Sequence, residues 1–224
     1  MCSSAVAVHL LVVILIFPGN DGLPPFLVVQ VPLDGLLNAV GKHGFRQPAQ
    51  LGVDLGGVDG VAQVVALTVA HIGDQAFGLA QFLADELDDI DAIICAIGGG
   101  GLISGIAYTI KQIRPSIKVY GVQVAGAPSM YNSIKAGEIQ CLAGVSTIAD
   151  GIAVKAPGET TFELVSQYVD EIVTVTDDEI SAAILALMEQ QKLVTEGAGA
   201  VAVAAAMFNK VPVKGKKVVC LLSG

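Results

Sequence analysis

The sequence predicts an α/β fold, a mostly parallel sheet flanked by helices, with an atypical N-terminal segment ahead of it. Three observations carry that expectation. From Asp91 onward, short apolar runs alternate with helical patterns, the rhythm of strand–helix–strand units. A run of four glycines, Gly98–Gly101, sits between the first such strand and the first helix. Apolar residues make up 53% and charged residues 15% of the 224, so a large core with a thin polar surface is available.

The elements follow in order. Asp91–Ile97 reads as a short apolar strand, Leu102–Ile113 as a helix and Ile117–Val124 as a buried strand. Ser129–Ala136 is a short helix, and Gly158–Val169 is amphipathic and leads into the strand Glu171–Thr176. Asp177, Asp178 and Glu179 open a long helix running to about Lys192, with acids in the first turn where the helix dipole favours them. Gly197–Asn209 is rich in small residues and reads as a buried helix, and Lys217–Leu222 is a last strand.

The chain divides by composition. Of twelve Lys and Arg residues, only Lys42 and Arg46 precede Lys111. Residues 1–78 form an atypical low-charge, Gly-broken segment whose apolar residues hold neither helical nor strand period for long. Residues 79–224 form the α/β domain. The apolar run Ala5–Phe17 is shorter than the roughly 20 residues a membrane span needs. It lacks the preceding positive charge and the cleavage pattern of a signal peptide, so neither membrane nor export is expected, and the chain is assigned to the cytoplasm. A net charge of −9 with no basic patch argues against nucleic acid as a partner. Cys95 and Cys220 lie in apolar strands and read as small core hydrophobes. No cysteine or histidine spacing suits zinc.

The chemistry-bearing motif is the strand–glycine–helix junction. Without Cβ atoms, successive N–H groups can converge on one phosphate, and the helix adds free amides and its dipole. Four consecutive glycines exceed what a tight turn requires, since each costs folding entropy. The dinucleotide pattern fails, because Gly99 and Gly101 are followed by Ser104 and the next strand ends in Val122-Gln123-Val124 without an acid. The Gly-Lys-Ser/Thr of a P-loop is absent.

Residues 90–224 resemble the threonine dehydratases and serine racemases among fold-type II pyridoxal-phosphate (PLP) enzymes. The resemblance rests on Gly98-Gly99-Gly100-Gly101-Leu102-Ile103-Ser104-Gly105, Gly121-Val122-Gln123, Gly126-Ala127-Pro128-Ser129-Met130 and Ser146-Thr147-Ile148-Ala149-Asp150-Gly151-Ile152-Ala153-Val154. It continues through Val169–Val175 and Glu196-Gly197-Ala198-Gly199-Ala200 to Cys220-Leu221-Leu222-Ser223-Gly224. It implies pyridoxal 5'-phosphate as cofactor, threonine or serine as substrate, β-elimination to a 2-oxo acid and ammonia, and a homo-oligomer. It also implies that the amides of Gly98, Gly99, Gly100, Gly101 and Leu102 bind the cofactor phosphate, and that Ser223 hydrogen-bonds the pyridine nitrogen. Glu196 would lie near the ring, or else serve simply as an acid at the start of the helix that follows. Related racemases carry a divalent metal beside the strand ending at Val124. Gln123 and Ser129 stand where those enzymes have acids, so no such metal is expected.

The family's Ser-Phe/Tyr-Lys tripeptide, which supplies the Schiff-base lysine, is not found. Lys42, the one lysine before Lys111, has the wrong flanking order. No catalytic residue is therefore assigned. Residues 1–78 are expected to be a frame or assembly product joined to a genuine C-terminal half, with the C-terminus clipped. A serine racemase-like enzyme and an inactive phosphate- or PLP-binding remnant are the alternatives.

Overall fold

A computed structural model of the chain describes residues 10–16, 26–30 and 90–223. Lys42 and most of residues 1–89 lie outside the described residues, as does Gly224. Six strands form one sheet in the order β2-β1-β6-β3-β4-β5, with β1 at Leu10–Ile16, β2 at Phe26–Gln30, β3 at Ala92–Ala96, β4 at Lys118–Val124, β5 at Glu171–Val175 and β6 at Lys217–Ser223. β6, β3, β4 and β5 are mutually parallel, the four-stranded core of the expected fold. β1 joins antiparallel to β6 and β2 antiparallel to β1. The sequence reading placed no strand before residue 90. The Leu-Leu-Val-Val-Ile-Leu-Ile run of β1 is a strand-forming string of branched residues, and it pairs along the whole of β6.

Helices cover both faces of the parallel strands. α1 (Gly101–Ile113), α2 (Ser129–Ala136) and α3 (Glu159–Tyr168) contribute to one core, with Ile103, Ile106, Ile110, Met130 and Val165 packed among Ile93, Cys95, Ile97 and Val119. α4 (Asp177–Ala186) and α5 (Gly197–Met207) contribute to the other, against Ala92, Ile94, Ala96, Val122 and Cys220. The two-residue strand period sorts β3 cleanly between these layers. In α5, Gly197 to Ala206 are all buried, which explains why the helix carries no charge. Each buried valine there, Val201 and Val203, adds about 1.5–3 kcal/mol relative to exposure.

α4 starts on a capping box. The Glu179 amide donates to Thr176 Oγ1 at 3.2 Å, and the Thr176 amide donates to Glu179 Oε2 at 2.9 Å. The helix stops at Ala186, earlier than its sequence pattern suggests, and widens into a π turn at Leu187–Gln191 that ends on Lys192 at φ 59°. At the amino ends of the strands, Asp170 ties three groups together. Its carboxylate accepts from Lys111 Nζ (2.6 Å), Lys118 Nζ (2.8 Å) and the Val119 amide (2.8 Å). Burial would raise the Asp170 pKa, but these hydrogen bonds outweigh it and hold the carboxyl below its ordinary value.

Cys95 and Cys220 are buried core thiols, as expected, and burial pushes Cys95 up to about 12 and raises Cys220 as well. Among the described residues, no helix is long and apolar enough to cross a membrane.

Candidate functional site

β3 lies where the strand order reverses. The chain passes from β3 through α1 to β4 on one side, while the returning β6 lies on the other. In open α/β sheets, ligands bind in the crevice outside the carboxyl ends of the strands at such a reversal. The glycine run follows β3 at this end of the sheet, and Ser223 ends β6 beside it. Ile94 pairs with Cys220, so three further residues on each strand, in register, bring Ser223 level with Ile97. Neighbouring strands lie about 4.8 Å apart, so the two ends of the motif border one opening.

The glycine run presents free donors. The Ile97 amide donates to Val122 O (2.8 Å) and the Ser104 amide to Gly100 O (3.0 Å). Between them, the amides of Gly98, Gly99, Gly100, Gly101, Leu102 and Ile103 meet no acceptor among the described residues. A Cβ at Gly99 would touch nothing within 4 Å, so the run faces open space there. Gly100 differs. It starts α1 from the left-handed region at φ 95°, which favours glycine, and a Cβ there would lie 2.8 Å from Met130 Cε and 2.9 Å from Thr161 Cβ.

Glu196 immediately precedes the first turn of α5, is exposed, and makes no capping hydrogen bond with its side chain. Its carboxylate rests against Gly151, where a Cβ would fall 2.8 Å from Glu196 Oε1. Gly98 in turn packs against Ile152 and Val154, so the Asp150–Val154 strap runs between the glycine run and Glu196. The structure thus brings the glycine run, Glu196 and the end of β6 to one end of the sheet.

The carbonyls of the run are held from behind. Ile97 O accepts from Gln123 Nε2 (3.2 Å), Gly99 O from Thr161 Oγ1 (2.6 Å) and Gly101 O from Ser104 Oγ (3.0 Å). The sequence reading weighed Gln123 as a poor cation ligand and as a strand end without the acid a dinucleotide site needs, and did not single out Thr161, because no local pattern signals a contact 62 residues away. Gln123 is fully buried, and its Oε1 accepts from the Tyr131 amide at 2.9 Å, so both ends of its amide are engaged. Ser129 is buried too, and its hydroxyl has no partner among the described residues. No group of three or more His, Cys, Asp or Glu side chains among the described residues is placed to hold a metal ion.

Lys111 and Lys118 bind Asp170, Lys210 binds Glu179 (2.7 Å), and Lys135 stacks over the Tyr131 ring at 4.2 Å.

Fold and site together define an α/β protein with an open amide cradle at the switch point of its sheet. The chain belongs to the pyridoxal-phosphate dependent enzyme family, whose model matches residues 63–224. It is 52% identical over 142 residues to the L-threonine ammonia-lyase of Thermotoga maritima, covering 63% of this chain and 35% of that one. It is 44% identical over 144 residues to the catabolic L-threonine dehydratase TdcB of Escherichia coli, covering 63% and 44%. Among solved structures it is similar to the processed form of threonine deaminase isoform 2 from Solanum lycopersicum (TM-score 0.64, 38% identity, 68% of this chain and 42% of that chain). It is also similar to maize serine racemase (TM-score 0.59, 35% identity, 61% and 42%). The chain therefore spans less than half the length of these two curated relatives. The family's cofactor is pyridoxal phosphate, and amides without a partner among the described residues, with open space before Gly99, suit its phosphate.

Proposed function

We propose that this chain grips pyridoxal 5'-phosphate in the crevice between β3 and β6, as the cofactor-binding half of a threonine/serine dehydratase. The observation that carries the reading is the strand register that sets Ser223 level with Ile97, one strand from the glycine run. The amides of Gly98, Gly99, Gly100, Gly101 and Leu102 would hold the phosphate, with the dipole of α1 behind them. Ser223 would donate to the pyridine nitrogen, and Glu196 would sit beside the ring. When bound, the cofactor supplies the electron sink that makes a Cα proton of an amino acid removable. A hydroxyl at the nitrogen, unlike a carboxylate, does not keep it protonated, which favours β-elimination over transamination.

Residues 79–224 carry the cofactor-binding site in this reading, and residues 1–78 contribute β1 and β2 to the edge of the same sheet beyond β6. Threonine or serine is the substrate class, and the relatives named above for acting on threonine support it. The protein would work in the cytoplasm as a homo-oligomer. The chain has no lysine in a Ser-Phe/Tyr-Lys setting, so we read it as holding the cofactor reversibly, with turnover belonging to longer relatives. Titration of the full chain with PLP is expected to show saturable binding that borohydride does not fix to any lysine in a peptide map. Absence of both PLP and inorganic phosphate binding at millimolar concentration would refute the reading.

A serine racemase-like function is the second reading, favoured by the likeness to the maize enzyme. Formation of D-serine, rather than pyruvate and ammonia, by the chain joined to a family N-terminal half would decide for it.

A further inference from the structure

The carbonyl contacts behind the glycine run have a directional consequence. In a trans peptide the C=O of one residue and the N–H of the next point in opposite directions in one plane. Holding Ile97 O aims the Gly98 amide, holding Gly99 O aims the Gly100 amide, and holding Gly101 O aims the Leu102 amide. The three donors are Gln123 Nε2, Thr161 Oγ1 and Ser104 Oγ, from β4, α3 and α1 respectively. Gly100 O is also engaged, by the Ser104 amide at 3.0 Å, which leaves Gly98 O without a donor among the described residues.

A run of four glycines needs such restraint. Glycine populates positive and negative φ with similar ease, so its peptide planes turn over at little cost. A carbonyl turned into the cradle would meet an anion with its negative end. Each side-chain donor blocks one such turn before any ligand arrives, which is how a support shell preorganises a binding site.

We propose that Thr161, with Gln123 and Ser104, positions the amide cradle by fixing these three peptide planes, and that this support sets phosphate affinity. The proposal rests on the cofactor reading above. Thr161 is the most informative of the three. It reaches Gly99 O at 2.6 Å, the shorter of its two carbonyl contacts, from a helix 62 residues away in sequence.

The test uses the full chain as wild type and as Thr161→Val, Thr161→Ser and Ser166→Ala. Ser166 lies on the exposed side of the same helix and donates to Phe162 O, so its loss is a matched removal of a hydroxyl-to-carbonyl bond away from the site. Affinities for PLP, inorganic phosphate and phosphate-free pyridoxal are measured by ligand fluorescence and competition, and unfolding midpoints by circular dichroism. Thr161→Val is expected to weaken PLP and phosphate binding roughly five- to tenfold, while pyridoxal binding and the unfolding midpoint stay near wild type. Thr161→Ser restores phosphate affinity, and Ser166→Ala leaves it unchanged. If the valine variant unfolds early, Thr161→Ala removes the same contact to Gly99 O without adding a second methyl and carries the same expectation. Wild-type phosphate affinity in the valine variant, or equal loss for PLP and pyridoxal, overturns the positioning role while the cofactor reading stands. A wild-type chain that binds neither PLP nor phosphate overturns the cofactor reading, and this inference with it.

Discussion

Gly99 and Gly100 are neighbours in one loop, yet alanine at each should fail in opposite ways. At Gly100 the backbone is left-handed, φ 95°, and a Cβ would sit 2.8 Å from Met130 Cε and 2.9 Å from Thr161 Cβ. The conformation alone costs a non-glycine residue about 1–2 kcal/mol. The crowding adds roughly 1–3 kcal/mol, since the methionine tip can move but Thr161 Cβ is one bond from the helix backbone. Gly100→Ala should therefore lose about 2–5 kcal/mol of stability, a large part of the margin of an ordinary domain. At Gly99 a Cβ meets nothing within 4 Å and no positive φ is involved. Gly99→Ala should unfold within about 0.5 kcal/mol of wild type. The methyl would instead occupy the space before the free amides and weaken PLP binding at least tenfold, about 1.4 kcal/mol. Urea unfolding followed by circular dichroism gives the first quantity, and PLP titration gives the second. A Gly99→Ala chain that binds PLP as tightly as wild type would mean that the open space is not the phosphate's, and the site reasoning would fail.

Two further outcomes follow from the structure. Asp170→Asn should cost about 1–2 kcal/mol, since a partly exposed carboxylate loses two lysine partners and keeps one amide. The Asp170 pKa is lowered in the folded state, so its contribution is present above the unfolded value of about 3.9 and is lost as pH falls through the lower folded value. The difference between wild type and Asp170→Asn in urea midpoints should thus shrink in acid, and a difference constant from pH 7 to pH 2 would count against the ion-pair account. Among the described cysteines, Cys141 is exposed while Cys95 and Cys220 are buried with raised thiol pKa values. Alkylation of the native chain at neutral pH, read by peptide mapping, should label Cys141 and spare the other two until denaturant is added. Labelling of Cys95 at the rate of Cys141 would show that β3 is not the buried central strand described.

Much of the α/β half was legible because its signals are local. Apolar runs bounded by glycine, proline or charge marked β3, β4, β5 and β6 to within a residue or so, and the acids of Asp177–Glu179 marked the start of α4. The end of α4 was not legible, since the π turn at Leu187–Gln191 depends on a register change that no residue type announces. β1 was passed over because its apolar run Ala5–Phe17 was weighed only as an export or membrane segment, and its pairing with β6 spans some 200 residues of sequence. Gly98–Gly101 stood out from its place between a strand and a helix, whereas Thr161, in the unremarked string Glu159-Thr160-Thr161, drew no notice.

The sequence by itself determined the α/β class, the order of the main elements from residue 90 onward and the position of the glycine run between β3 and α1, since periodicity and the missing Cβ act within a few residues. Tertiary structure alone decided that β6 returns to the side of β3 opposite β4, and so that the end of β6 at Ser223 lies beside the start of the glycine run. It also decided which side chains hold the peptide planes of the run. Strand order and hydrogen bonds between distant segments are set by how whole layers pack, and no short stretch of chain carries that information.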